Sequence, residues 1–215
     1  MRKILYVGVF FVFLSFINFA HSSILNGGFE DGLSNWTLTA DNLGTSGVVE
    51  AVLSVGNVVA PEGNKMAKIT LGQVGENIVD FNFFHTDLSS IQEGNHVQFK
   101  IKALYSTLKK QNYVRLFEVI LKEPVAGQPL IASAKINVSH ETCELTNIIE
   151  NQTNATKVIN NGPSGFPSET QWLDVDIDIS SFRDQSVPVS FFLTAPVPSG
   201  ESIIYLIDDV KIITP

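Results

Sequence analysis

Apolar and polar residues alternate along much of the chain. In "NHVQFKIKAL", Val97, Phe99 and Ile101 fall on one side, and Gln98, Lys100 and Lys102 on the other. In "WLDVDIDI", Leu173, Val175, Ile177 and Ile179 oppose Asp174, Asp176 and Asp178. A period of two marks a strand with one buried face. The runs "VRLFEVILKE", "IASAKINV", "VPVSFFLTA" and "IIYLIDDVKII" are β-branched, aromatic and of strand length. Between them stand turn clusters: "GLSN", "PEGN", "QEGN", "VAGQP", "NGPSGFPS" and "PVPSGES". Helical periodicity is scarce. Many short strands separated by such turns predict an all-β sandwich or barrel and exclude a βαβ fold.

Two regions depart from this pattern. The first is the N-terminus. Met1-Arg2-Lys3 is a basic start, residues 4–20 are apolar and uncharged, and Ala20-His21-Ser22 is a small-x-small site. This is the form of a signal peptide over residues 1–22, and it predicts a secreted, cell-surface or periplasmic protein with no membrane segment after cleavage. A retained anchor is the other reading, since the apolar run nearly reaches bilayer length. The second region, about 139–170, is rich in Asn, Ser and Thr and long for a connection. It is expected as an insertion protruding from the domain, or as a loop carrying a short strand at "KVI". Asn-x-Ser/Thr sequons stand at Asn35, Asn137, Asn151 and Asn154.

Cleavage leaves 215 − 22 = 193 residues, enough for one domain over 23–215. Losing Arg2 and Lys3 takes the formal charge from −8 to −10. Nucleic acid and anionic membrane need basic patches, so neither is an expected partner. The single cysteine, Cys143, cannot form an internal disulfide. Catalysis has no sequence signal. None of His21, His85, His96 and His140 stands in metal or triad spacing, and there is no Gly-x-Ser-x-Gly or phosphate loop. The aspartates of "DVDID" share a strand face, as a solvated face or a cation site would.

"LNGGFEDGLSNWT", "GNKMAKI", "LSSIQEGNHVQFKIKAL", "QWLDVDIDI" and "YLIDDVKI" follow one another along the chain, and in that order they resemble the galactose-binding-like jelly rolls that include carbohydrate-binding modules of secreted glycoside hydrolases. "LNGGFEDGLSNWT" near the start and "YLIDDVKI" at the end are similar to the terminal signatures of that superfamily. "GNKMAKI", "LSSIQEGNHVQFKIKAL" and "QWLDVDIDI" resemble its middle strands. The resemblance covers nearly all of the chain after the signal. It implies a two-sheet antiparallel jelly-roll sandwich, noncatalytic binding of a polysaccharide or glycan, and a structural calcium ion between first and last strands. A structural or adhesive surface protein binding another protein is the alternative.

On that resemblance the calcium ligands are Gly28, Glu30 and Asp208, with Asp209 a weaker fourth. A hard cation wants several oxygens, mixing carboxylates and carbonyls, and Gly27 and Gly28 let the backbone turn carbonyls inward. Alternation through β-strand "IIYLIDDVKII" puts Asp208 with Leu206, Val210 and Ile212, where a lone charge needs a partner. Glu30 and Asp208 otherwise cap turns or pair with Lys65 or Lys68. For the glycan, Tyr113, Arg115 and Phe117 alternate onto one strand face, two aromatics around a guanidinium. Should Phe117 be core, Arg115 becomes a buried-pair residue. Trp36 and Trp172 are expected to pack inside.

Overall fold

A computed structural model describes residues 24–41, 47–72, 78–87, 89–90, 92–105, 115–121, 132–138, 142–147, 153–160, 164–180, 183–184, 186–196 and 202–215. Residues 1–23, Tyr113 and residues 139–141 lie outside them. The described regular structure is strand, all of it antiparallel, in a jelly-roll sandwich of two layers.

The first layer runs β1 (Trp36–Asp41), β6 (Ile78–His85), β16 (Val189–Pro196), β9 (Arg115–Leu121) and β10 (Ala132–Val138). The second runs β13 (Ser168–Thr170), β8 (His96–Tyr105), β17 (Ser202–Ile213), β5 (Met66–Gly72) and β2 (Gly47–Val52), with β14 (Leu173–Asp178) also on β8. The hairpin β11 (Thr142–Asn147) and β12 (Thr153–Asn160) pairs with β10 on one side and β13 on the other, so it joins the layers. The Asn/Ser/Thr-rich segment 139–170 thus carries three strands, and "KVI" lies within β12. Two small pairs complete the fold: β3 (Ser54–Val55) with β4 (Val58–Val59), and β7 (Ser89–Ser90) with β15 (Ser186–Val187).

The core lies where the layers face. Val97, Phe99, Ile101, Ala103 and Tyr105 of β8 meet Phe83, Val189 and Phe191 of the first layer. Phe99 and Phe191 touch edge to face across it, centroids 5.2 Å apart. Trp36 is 6% exposed and stacks on Phe83 at 4.9 Å. Burial of such rings dominates a core, and each favourable pair adds about 0.5–1.5 kcal/mol.

A second apolar cluster lies on the outer side of the second layer. Met66, Leu104, Ile204 and Leu206 sit there beneath Val58 of the β3–β4 hairpin, with Phe166 and Trp172 packed against them. This cap buries Lys102, which the alternation of β8 had put on a polar face. Lys102 Nζ reaches Glu169 Oε1 at 3.4 Å and donates to the Thr170 carbonyl. Burial pushes the Lys102 ammonium pKa down, against the pull of Glu169.

Candidate functional site

The opening stretch "NGGFEDG" is a loop that threads the core and meets the last strand. Asn26 organises it. Its Nδ2 donates to the Gly32 and Ser34 carbonyls at 3.0 and 2.9 Å, and its Oδ1 accepts from Asp31 N–H at 3.0 Å. Its carbonyl accepts from Trp36 Nε1 at 3.1 Å. Phe29, at φ 57°, drives a fully buried ring between Trp36 and Phe83. A bulky residue in the left-handed region is strained, and burial of the ring holds it there.

Gly27 touches the last strand. Its carbonyl accepts from Val210 N–H at 3.0 Å, and a Cβ at Gly27 would stand 1.8 Å from the Val210 oxygen. That N–H is free to leave the ladder because β17 bulges. Asp208 is opposite Lys100 and Lys211 opposite Gln98, so Asp209 and Val210 together face Phe99. Asp209 has φ 54°, the left-handed conformation that the first residue of a G1-type bulge adopts.

The bulge corrects the expected alternation. Asp208 shares its side with Leu206, but Val210 and Ile212 have slipped to the core side. Asp208 is nevertheless fully buried, because the 60–65 loop covers it. Its Oδ2 accepts from Glu62 N–H at 3.1 Å and its Oδ1 from Asp209 N–H at 2.8 Å. Burial pushes its carboxyl up to about 6; those two N–H groups oppose the rise, and the charges of Asp209 and Glu30 add to it. Gly28 passes beside it, with a Cβ there 3.9 Å from Asp208 Oδ1.

Glu30 reaches the same loop. Its Oε1 accepts from Asn64 and Lys65 N–H at 2.6 and 2.9 Å, and Lys65 Nζ donates to its backbone carbonyl at 2.6 Å. These amide bonds hold its carboxyl below the usual range. Gly63, at φ 57°, makes room: a Cβ there would stand 2.3 Å from Glu30 Oε1. Glu30, Gly28 and Asp208 therefore converge around one loop. Asp209 turns aside to Lys211 Nζ at 2.7 Å. Among the described residues no group of three or more His, Cys, Asp or Glu converges as a metal cluster.

The "DVDID" carboxylates do not pool. Asp174 pairs with Lys100 at 2.6 Å, Asp176 takes His96 and Gln98 at 2.5 and 2.7 Å, and Asp178 accepts from Ser180 N–H at 2.8 Å. Each aspartate has its own partner on the outer face of the second layer.

The sequence candidates for ligand contact lie on β9. Tyr113 is outside the described residues. Phe117 is opposite Leu193 and Val119 opposite Phe191, so positions 115 and 117 fall on the face of Phe191, which is core. The other face of that layer is different. Thr39, Asn82, Phe192, Glu118 and Lys135 stand in one row across five strands. Thr37, Phe84, Ser190 and Ile120 form the row beside it. Sequence reading grouped β9 by period two but had no register to say which parity faces out.

No family model matches the chain, and no curated protein matches it. Among solved structures it is similar to the K1 cleaved adhesin domain of Lys-gingipain from Porphyromonas gingivalis W83, at 12% identity over 87% of this chain and 96% of that one, with a TM-score of 0.50. It is also similar to the Family 11 carbohydrate-binding module from Clostridium thermocellum in complex with a β-1,3-1,4-mixed-linked tetrasaccharide (12% identity, 86% and 92% covered, TM-score 0.44). A third is TmCBM61 in complex with β-1,4-galactotriose (13% identity, 89% and 97% covered, TM-score 0.46). The likeness to the adhesin domain is one of fold.

Proposed function

We propose that this chain is a secreted, noncatalytic glycan-binding domain. Its ligand lies on the outer face of the first layer, and one calcium ion joins its first loop to its last strand. The row Asn82–Phe192–Glu118–Lys135 supports the ligand face. It puts an aromatic position between amide, carboxylate and ammonium positions, the mix of apolar platform and few polar groups that ligand sites use. The β3–β4 hairpin caps half of the outer face of the second layer, which leaves the first layer the broader platform. The ligand residues proposed are one step out of phase with Arg115 and Phe117 on the same strand.

Calcium fits the donors present. Glu30 and Asp208 are both hard oxygen ligands. Glu30 Oε2 takes a long contact from Asn64 Nδ2, at 3.5 Å. The charge of Glu30 works against ionisation of Asp208, and a cation between them would offset that repulsion. With only two carboxylates, backbone carbonyls would complete the shell. Such an ion supplies structural cross-linking, not chemistry.

Affinity electrophoresis through gels containing neutral β-glucan, mannan or galactan tests the ligand face. Wild type is expected to be retarded by at least one polymer, and Phe192→Ala and Glu118→Gln to lose about tenfold or more in affinity, the scale of a lost stacking or hydrogen-bond contact. Retardation that both variants keep in full would move the site elsewhere. An adhesive, protein-binding role is the second reading. It is favoured by Val48, Leu53 and Val59, three exposed apolar residues between positions 48 and 59.

A further inference from the structure

A groove of about 330 Å3 opens on the outer face of the second layer, on the opposite side of the sandwich from the proposed ligand face. Gln98 and Lys100 of β8, Asp174 and Asp176 of β14, and Asp209 and Lys211 of β17 form its walls. The bulge in β17 shapes it. A bulge bends its strand and re-aims the extra residue, and here it brings Asp209 to the rim in a left-handed conformation. The calcium reading uses Asp208 and leaves this feature unexplained.

The walls select the ligand. Lys100 Nζ donates to Asp174 Oδ1 at 2.6 Å, Lys211 Nζ to Asp209 Oδ2 at 2.7 Å, and Gln98 Nε2 to Asp176 Oδ2 at 2.7 Å. An ammonium has three N–H bonds and a carboxylate about four lone-pair sites. Each pair therefore keeps spare donors beside spare acceptors. An anionic ligand meets three aspartates, and a cationic one meets two lysines. A neutral ligand with adjacent hydroxyls finds a donor and an acceptor together at each pair and displaces no ion pair. The volume is at the small end of ligand sites, which start near about 300 Å3. The Phe99 ring is core, so binding here is by hydrogen bonds without stacking.

We propose that this groove is a second ligand site, taking the hydroxyl pairs of a short neutral sugar. It extends the glycan reading to the other side of the molecule and shares no residue with the first face.

Amide chemical shifts during titration with neutral gluco-, manno- and galacto-tetrasaccharides test it. At least one sugar is expected to move the Gln98, Lys100, Asp176 and Lys211 amides saturably. The paired change Lys100→Met with Asp174→Asn strands no charge, and it should weaken binding in the groove tenfold or more while leaving shifts near Phe192 intact. Shifts confined to Asn82, Phe192 and Glu118 would overturn the second site and uphold the first. Shifts confined to the groove would do the reverse. If no sugar moves the groove amides of folded protein, or the double variant still binds there unchanged, the proposal is overturned.

Discussion

Gly27→Ala is expected to destabilise the domain by about 3 kcal/mol, the upper range for overpacking. The new methyl would meet the Val210 carbonyl at 1.8 Å. That atom is backbone, held in the bulge of β17, so no rotamer change relieves the clash. The loop must retreat, losing the Val210 N–H bond to Gly27, about 1 kcal/mol by itself. For a domain of this size each kcal/mol moves Tm by about 2–4 °C, so thermal unfolding should show a fall of roughly 10 °C. Gly28→Ala is the control. Its Cβ finds nothing nearer than Asp208 Oδ1 at 3.9 Å, and its effect should stay within about 0.5 kcal/mol. Equal effects would mean that the opening loop does not pack on the last strand in this way.

The proposed calcium ion carries the other large expected effect. An ion held only by the folded state stabilises it by about 2.7 kcal/mol at a hundredfold excess over Kd. A chelator should therefore lower Tm by several degrees, and calcium should restore it. Asp208→Asn should abolish that response, and Glu30→Gln should remove most of it. Asp209→Asn should leave it nearly whole, because Asp209 is engaged with Lys211.

The same carboxyl predicts a pH signature. Folding raises the Asp208 pKa from 3.8 to about 6, so the folded state binds this proton more tightly than the unfolded one. Without calcium, this group's contribution is most favourable below about pH 4. It is lost as pH rises through about 6, a change of up to about 3 kcal/mol. Chelated protein should therefore be more stable at pH 5 than at pH 7. Saturating calcium favours the ionised carboxylate and should flatten or reverse that trend. Asp208→Asn should remove the trend in both conditions. A chelated protein with no loss of stability between pH 5 and 7 would remove the raised carboxyl of Asp208 from the account.

Period two was enough to find β8, β14 and β17 in the sequence, because each buries one side. It did not find the bulge, since an extra residue inside "LIDDVKI" looks like uninterrupted alternation until the partner strand is known. Asp208 is therefore buried for a different reason than alternation suggested: the 60–65 loop lies over it. Burial of Lys102 and Glu169 was also illegible, because it depends on the β3–β4 hairpin folding across the sheet. The apolar run "VLSVGNVVA" is the trace that hairpin leaves. On β9 the pattern gave two parities, and only pairing with Phe191 and Leu193 decided which one faces the core. Packing of Trp36 was legible through resemblance, whereas the close approach of Gly27 to Val210 depends on the bulge and left no trace in the sequence.

The glycan reading and the adhesive reading share this fold and part on the ligand. Binding of residues 23–215, in calcium, to a broad array of neutral oligosaccharides and polysaccharides separates them most directly. The glycan reading predicts saturable binding to a chemically related subset, with no release of shorter products and a loss on Phe192→Ala. Folded, calcium-loaded protein that binds nothing on the array would contradict it and leave the exposed Val48, Leu53 and Val59 as the residues to pursue.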